Sequence, residues 1–286
     1  MKKQKEKGKK LNPIDNKIID EKFGAIFAEA QRRKKERQNN SIPKIHIGLS
    51  TCGIAAGAME TKTAFEETLS QRGIEAQIHC VGCIGHCYAE PWVIIENPES
   101  GFPPIFYSQV TAGKAKMLTK LYLEEGDPRL EHILGAMEEN DMIPSVWEFS
   151  RFSREKRIVM DLCGKIDPDD INEYIAEDGY SSWAKALKSP PDEVLKQVLG
   201  SGLRGRGGAG FPTGKKWELA LKQTDLEKIV ICNADEGDPG AYMDRTILES
   251  NPHQVLEGLA LCAYAIGAHK ALFYVRAEYP LAVKTI

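Results

Sequence analysis

The sequence predicts an α/β protein of two domains behind a basic N-terminal arm. Strand-like and helix-like patterns alternate through residues 44–125, and alternate again from 154 to 286. The stretch between them, 126–153, is charged, carries Pro128 and Pro144, and reads as a linker. A chain of 286 residues with 42% hydrophobic content can bury a core in each of two ordinary domains.

Residues 1–43 form the arm, which is polar and lysine-rich. Ile18, Phe23, Ile26 and Phe27 share one face of a helix that runs to the basic cluster at Arg32 to Arg37. Such a segment is a solvated, partly helical arm or a docking segment for a partner subunit. Residues 44–49 alternate as a strand, and Phe65 and Leu69 lie at helical spacing within 61–71, which Gly73 ends. Residues 74–79 return as a strand, 92–96 form another and 105–107 a short fourth, with Pro98, Gly101, Pro103 and Pro104 turning the chain between the last two. A helix over 111–123 closes the domain. The order βαβ–ββα is thioredoxin-like.

In the second domain, 154–286, residues 157–162 suit a strand. Asp167 and Pro168 open a helix that reaches Ile175, Gly179 and Tyr180 open a second, and Pro190 and Pro191 a third. Residues 215–221 are helical, 228–232 form a buried strand, 252–266 a mostly apolar helix and 271–275 a strand. Glu278, Tyr279 and Pro280 begin a last helix.

Composition narrows the function. A net charge of −3 carries no nucleic-acid signature. No run approaches the roughly 20 apolar residues of a membrane helix, so no direct membrane insertion is expected. The N-terminus lacks the apolar stretch of a secretory signal. Seven cysteines without an export signal point to thiols or metal ligands and to the cytoplasm.

The chemistry concentrates in residues 202–217 (GLRGRGGAGFPTGKKW) and 232–245 (CNADEGDPGAYMDR). So many glycines cost backbone entropy, and they are tolerated where the backbone itself must approach something. Arg204, Arg206, Lys215 and Lys216 flank the loop and Asp235, Glu236 and Asp238 follow it, which together suit a phosphate-bearing cofactor. Gly205, Gly207 and Gly210 spell G-x-G-x-x-G, but a helical pattern over 190–199 precedes them where a Rossmann loop needs a strand. A Walker loop ending at Gly214 and Lys215 fails at Ala209 and Lys216.

These two motifs resemble the flavin-bearing, NADH-oxidising subunit of respiratory complex I. They are more similar still to its relatives in soluble NAD-linked hydrogenases and formate dehydrogenases, electron-bifurcating ones included. The likeness runs from about Arg157 to Ile286. It implies FMN and NAD(H) as cofactors, and a second domain that is the N-terminal part of that family's FMN/NADH-binding domain. By the resemblance, Gly205, Arg206, Gly207, Gly208 and Gly210 wrap the cofactors, Phe211 lies against the nicotinamide or adenine ring, and Lys216 meets a phosphate while Lys215 points elsewhere. Asn233, Asp235 and Glu236 hold the flavin and NADH, and Asp238 stands where complex I more often has Glu. Hydride transfer from NADH to FMN needs no protein acid or base, so no catalytic residue is assigned. Asp244 and Arg245 read as a structural ion pair at a helix start.

Cys83, Gly85 and Cys87 resemble the C-x-G-x-C part of thioredoxin-like [2Fe–2S] ferredoxins, and Cys52 the first ligand of the earlier pair. Such clusters want four thiolates. The fourth position, near Ala56 or Gly57, has no sulfur, which leaves Cys80, His79 or His86 as substitutes. The metal candidates are therefore Cys52, Cys80, Cys83 and Cys87; a lost cluster with the fold kept as a docking domain, or a zinc site, also fits the residues. Cys163, Cys232 and Cys262 read as small core residues.

Members of this family continue for several hundred residues beyond the point matching Ile286, so the chain reads as an N-terminal fragment, a truncated frame or half of a split subunit. The resemblance implies an NADH:acceptor electron-entry subunit of a soluble multisubunit complex, with other iron–sulfur subunits as partners. The alternative is a truncated, catalytically incomplete binding or assembly module with a metal-binding thioredoxin-like domain.

Overall fold

The computed structural model describes residues 15–38, 41–223 and 227–286, so the first fourteen residues of the arm lie outside the described residues. Helix α1 (Asn16–Gln38) buries Ile19 and Ala30, with Phe23 and Phe27 on the same stripe. The stripe packs on two helices of the second domain, Ile171–Ala176 and Ser181–Leu187. The described part of the arm is thus helical and mostly exposed, as expected of a solvated, partly helical arm, but one stripe of it docks within the chain. Ile18 and Ile26, expected on its apolar face, sit one position off the stripe and remain exposed.

The first domain is built on a five-stranded sheet. Its elements are β1 (Lys44–Gly48), α2 (Thr51–Ala55), α3 (Ala58–Arg72), β2 (Gln77–Val81), β3 (Val93–Glu96), β4 (Ile105–Tyr107), α4 (Ala112–Leu118) and β5 (Ile133–Ala136). The strand order is β2-β1-β3-β4-β5, with β1 parallel to β2 and the remaining pairs antiparallel. The first four strands with α3 and α4 make the thioredoxin-like arrangement. Alternation sorts the side chains: Ile45, Ile47, Val93, Ile95, Ile105 and Tyr107 face Phe65, Leu69, Leu118 and Tyr122, in a core closed by α3 and α4. Val81, Trp92, Ile94 and Phe106 point to the other face, where Val146 and Phe152 cover them.

Those last two residues belong to the expected linker, 126–153, and that expectation is corrected. The short apolar run Ile133–Ala136 pairs with β4, and Ala136, Ile143 and Val146 are buried. The segment is part of the first domain and ends in a short helix, α5 (Ser150–Ser153).

In the second domain the expected strand at 157–162 is absent. Residues 158–165 form bends and turns instead, in which the Cys163 N–H donates to the Met160 carbonyl and the Lys165 N–H to the Leu162 carbonyl. Helix α6 (Ile171–Ala176) starts later than expected because Asp170 caps it, accepting from the Asn172 N–H. Then come α7 (Ser181–Leu187), α8 (Pro191–Gly200), α9 (Thr213–Leu221), β6 (Ile229–Ala234), α10 (Met243–Ser250), α11 (Pro252–Ile266), β7 (Lys270–Val275) and α12 (Pro280–Thr285). Strands β6 and β7 pair in parallel. Helices cover one face only, through Ala234, Phe273 and Val275 against Leu248, Val255, Tyr279 and Ala282. On the other, Ile229, Ile231, Leu272 and Tyr274 are 45% to 62% exposed, so the strand expected to be buried is covered on one side. No helix of the described residues is long and apolar enough to cross a membrane.

Candidate functional site

Helix α8 leads into the glycine loop, anchored by Val194 and Leu195 against Ala186 and Ala265. The loop closes at its neck: the Gly205 N–H donates to the Phe211 carbonyl at 2.9 Å and the Thr213 N–H to the Leu203 carbonyl at 2.8 Å. Arg204 Nη1 donates to the Gly210 carbonyl at 3.2 Å, so Arg204 is committed to holding the loop shut. Between these contacts, residues 206–209 stand in solvent. A Cβ added at Gly207 or Gly208 would meet nothing within 4 Å, so packing does not demand glycine there. Conformation does at Gly208 (φ +97) and Gly210 (φ +60), which lie in the left-handed region. Gly214 is different: a Cβ would come within 2.6 Å of the Leu199 backbone, so glycine lets α9 press against α8. Lys215 pairs with Glu218 at 2.6 Å, whereas Lys216 has no ion pair among the described residues. Phe211 is about half exposed.

At the end of β6, Asn233 and Asp235 are exposed, and Asn233 Oδ1 accepts from the Asp235 N–H at 3.2 Å. Glu236 is buried and turned the other way. Its carboxylate accepts from the N–H groups of Met243, Asp244 and Arg245 and from the Tyr279 hydroxyl. It therefore satisfies the N-terminal turn of α10, whose donors have no partner within the helix. Glu236, expected among the ligand-holding residues, is committed to that turn.

The expected Asp244–Arg245 pair does not form, and Arg245 reaches into the first domain instead. Its guanidinium lies 4.1 Å from the Tyr242 ring centroid, and Nη2 donates to Cys52 Sγ at 3.0 Å. Around this contact three of the expected metal candidates meet. Cys52, in the first turn of α2, has its sulfur 3.5 Å from that of Cys87. Cys83 is buried; its sulfur accepts from the Gly85 N–H at 3.2 Å and lies 3.9 Å from Glu90 Oε1. Burial pushes the Cys83 thiol up to about 12, Cys52 to about 11 against the pull of Arg245, and the Glu90 carboxyl to about 7.

Cys80 is not in this group. It lies on β2, where burial raises its thiol and the charges that bear on it are Lys62, Asp167, Glu66 and Asp169. Ala56 and Gly57 end α2 without a sulfur. Three sulfurs do not complete a four-thiolate cluster, and no group of three His, Cys, Asp or Glu among the described residues is arranged to hold a metal ion.

Sequence reasoning missed the residues of α10 that seat this corner. Glu249 accepts from the Thr51 N–H at 2.8 Å and the Thr51 hydroxyl at 2.6 Å. Ser250 Oγ and Ser50 Oγ each accept from the Cys83 N–H at 2.8 Å. Nothing in local spacing signals contacts between residues this far apart in the chain.

Comparison with known proteins bears out the resemblance read from the two motifs. Residues 198–286 match the family model of the Nuo51 FMN-binding domain. The NADP-reducing hydrogenase subunit HndC of Solidesulfovibrio fructosivorans is 53% identical over 133 residues, covering 46% of this chain and 27% of that protein. A subunit of the NADH-quinone oxidoreductase of Aquifex aeolicus is 51% identical over 110 residues, covering 38% and 26%. The chain thus spans about a quarter of the length of these relatives. Among solved structures, an NAD+-reducing [NiFe]-hydrogenase chain aligns over 95% of this chain and 45% of its own, at 23% identity and a TM-score of 0.37.

Proposed function

We propose that this chain is an electron-entry component of an NADH-oxidising assembly, binding FMN and NADH on its second domain. The observation that carries the reading is the Nuo51 FMN-binding domain match, which spans the glycine loop and the end of β6 together. FMN, when bound, accepts hydride from NADH and passes electrons on singly.

The chain's own residues bind and orient. Gly207, Gly208 and Gly210 offer backbone N–H groups to a phosphate, beside the N-terminus of α9, while the Gly205 N–H closes the neck of the loop on the Phe211 carbonyl. Lys216 adds an ammonium that no carboxylate of the described residues claims, and Arg206 adds an exposed guanidinium. Phe211 offers a ring face for stacking. Asn233 and Asp235 accept from ribityl or ribose hydroxyls, and the Asp235 carboxylate disfavours the additional phosphate of NADPH. None of these residues transfers a proton. The electrons leave to iron–sulfur partner subunits of a soluble, cytoplasmic complex of the hydrogenase or formate dehydrogenase type.

Titration of the purified full chain with FMN, read by quenching of flavin fluorescence, tests this. Saturable binding is expected. Lys216→Ala should weaken it about tenfold, the worth of one charge-assisted phosphate contact, while Lys215→Ala changes it little. NADH should then bleach the flavin's visible absorbance more readily than NADPH, a choice that matters because one relative is an NADP-reducing enzyme. A chain that is folded by circular dichroism yet takes up no FMN overturns the reading and leaves the binding or assembly module.

A further inference from the structure

We propose that Cys52 and Cys87 are a reversible dithiol–disulfide pair, exchanging with low-molecular-weight disulfides at the seam between the two domains. Their sulfurs stand 3.5 Å apart. A disulfide bond is about 2.05 Å long, so closure needs roughly 1.5 Å of movement, shared between two side chains. Cys52 sits in the first turn of the five-residue helix α2 and Cys87 opens a short 3₁₀ turn, so neither sulfur is locked inside a long rigid element.

Access separates their roles. Cys87 is exposed and meets a solution disulfide first, whereas Cys52 is half-buried behind it. Arg245 Nη2, at 3.0 Å, holds the Cys52 sulfur in place from the second domain. Cys83 is excluded as the partner because it is only 3% exposed and its sulfur is engaged by the Gly85 N–H.

The exchange balances in two steps. The Cys87 thiolate attacks one sulfur of the small disulfide, whose S–S bond breaks and releases one thiolate, leaving a mixed disulfide on Cys87. Cys52 then gives its proton to solvent and attacks the Cys87 sulfur, displacing the second small thiolate. Two protein thiols are oxidised, and one small disulfide is reduced to two thiols. The bond ties α2 to the loop after β2 and changes the sulfur that Arg245 contacts, so the redox state is felt where α10 docks.

The full chain is incubated with glutathione disulfide, quenched in acid, alkylated and digested for mass spectrometry. The expected result is loss of two alkylatable thiols and a joined Cys52–Cys87 peptide pair, both reversed by dithiothreitol. In Cys52→Ser, a glutathione adduct on Cys87 should persist at least about tenfold longer than in the native chain, because the resolving thiol is gone. Alkylation of both residues after oxidation overturns the proposal. So does a Cys87 bridge to any other cysteine, or purified chain whose Cys52 and Cys87 are shielded by stoichiometric iron and sulfide or by zinc. The native-chain peptide map decides even if the variant fails to fold.

Discussion

Glu96, at the end of β3, holds two basic side chains from the neighbouring strand: Lys44 Nζ at 3.0 Å and His46 Nε2 at 3.3 Å. The His46 contact first, and Lys44 after it, hold its carboxyl down at about 2 against the opposing effect of burial. A carboxylate depressed in the folded state contributes stability that is fully present above its unfolded value of 4.5 and lost as pH falls through about 2. The side chain is 32% exposed, and solvent screening reduces its worth to about 1–2 kcal/mol. Glu96→Gln should therefore lower the urea midpoint at pH 7, with the gap to the native chain closing between pH 4.5 and pH 2; a gap independent of pH would contradict this. At the candidate site, residue identities are legible in the sequence and some roles are not. Glu236 belongs to a recognisable motif, yet its task follows from where α10 begins. Sequence proximity pairs Arg245 with Asp244, while its sulfur partner lies across the domain boundary.

Helix α1 shows which interactions decide where an element sits. It reaches the second domain through Arg37 to Asp170 and Glu173, Lys34 to Glu177, and Gln31 to the Ala176 carbonyl. Partly exposed ion pairs contribute about 0–1 kcal/mol each, so the apolar stripe carries most of the docking. Ala30, 1% exposed against Ile175 and Ala176, is its tightest point. Ala30→Glu should cost about 2–4 kcal/mol by burying an unpaired carboxylate. Tryptic cleavage at Arg32 and Arg33 should accelerate, while Ala25→Glu on the solvent side leaves it unchanged; equal cleavage in both variants would mean the stripe does not hold the helix. Periodicity makes most elements legible, α11 to its stated bounds, because long patterned segments need little context. It fails where context rules: Ile133–Ala136 becomes a strand because it pairs with β4, and 158–165 satisfies its backbone in local turns.

The two domains meet as surfaces fitted at backbone distance, a property no single motif carries. Glu249 and Ser250 at the end of α10 are 3% and 0% exposed; Glu249 accepts from Thr51 at the start of α2, and Ser250 accepts from the Cys83 N–H in the loop after β2. At Gly82 the backbones of the two domains leave no room for a side chain. A Cβ there would lie 2.2 Å from Ser250 Cβ and 2.4 Å from its Cα, and a backbone atom cannot step aside as a side-chain tip can. The same contact keeps Arg245 within reach of Cys52, so the spacing of the domains also sets the environment of the thiol pair. Gly82→Ala should push α10 away from the cysteine loop at a cost of about 1–3 kcal/mol, the usual penalty of overpacking. With the seam opened, calorimetry should resolve two unfolding transitions where the native chain gives one, and amide exchange should rise at Thr51 and Cys83, whose N–H groups bond to α10. Ser250→Ala separates packing from bonding: it removes one acceptor without crowding the backbone, so it should lower stability by about 1 kcal/mol and keep a single transition. If Gly82→Ala also melts in one unshifted step, the domains are not coupled through this contact, and the redox state of Cys52 and Cys87 would have no route to the second domain along it.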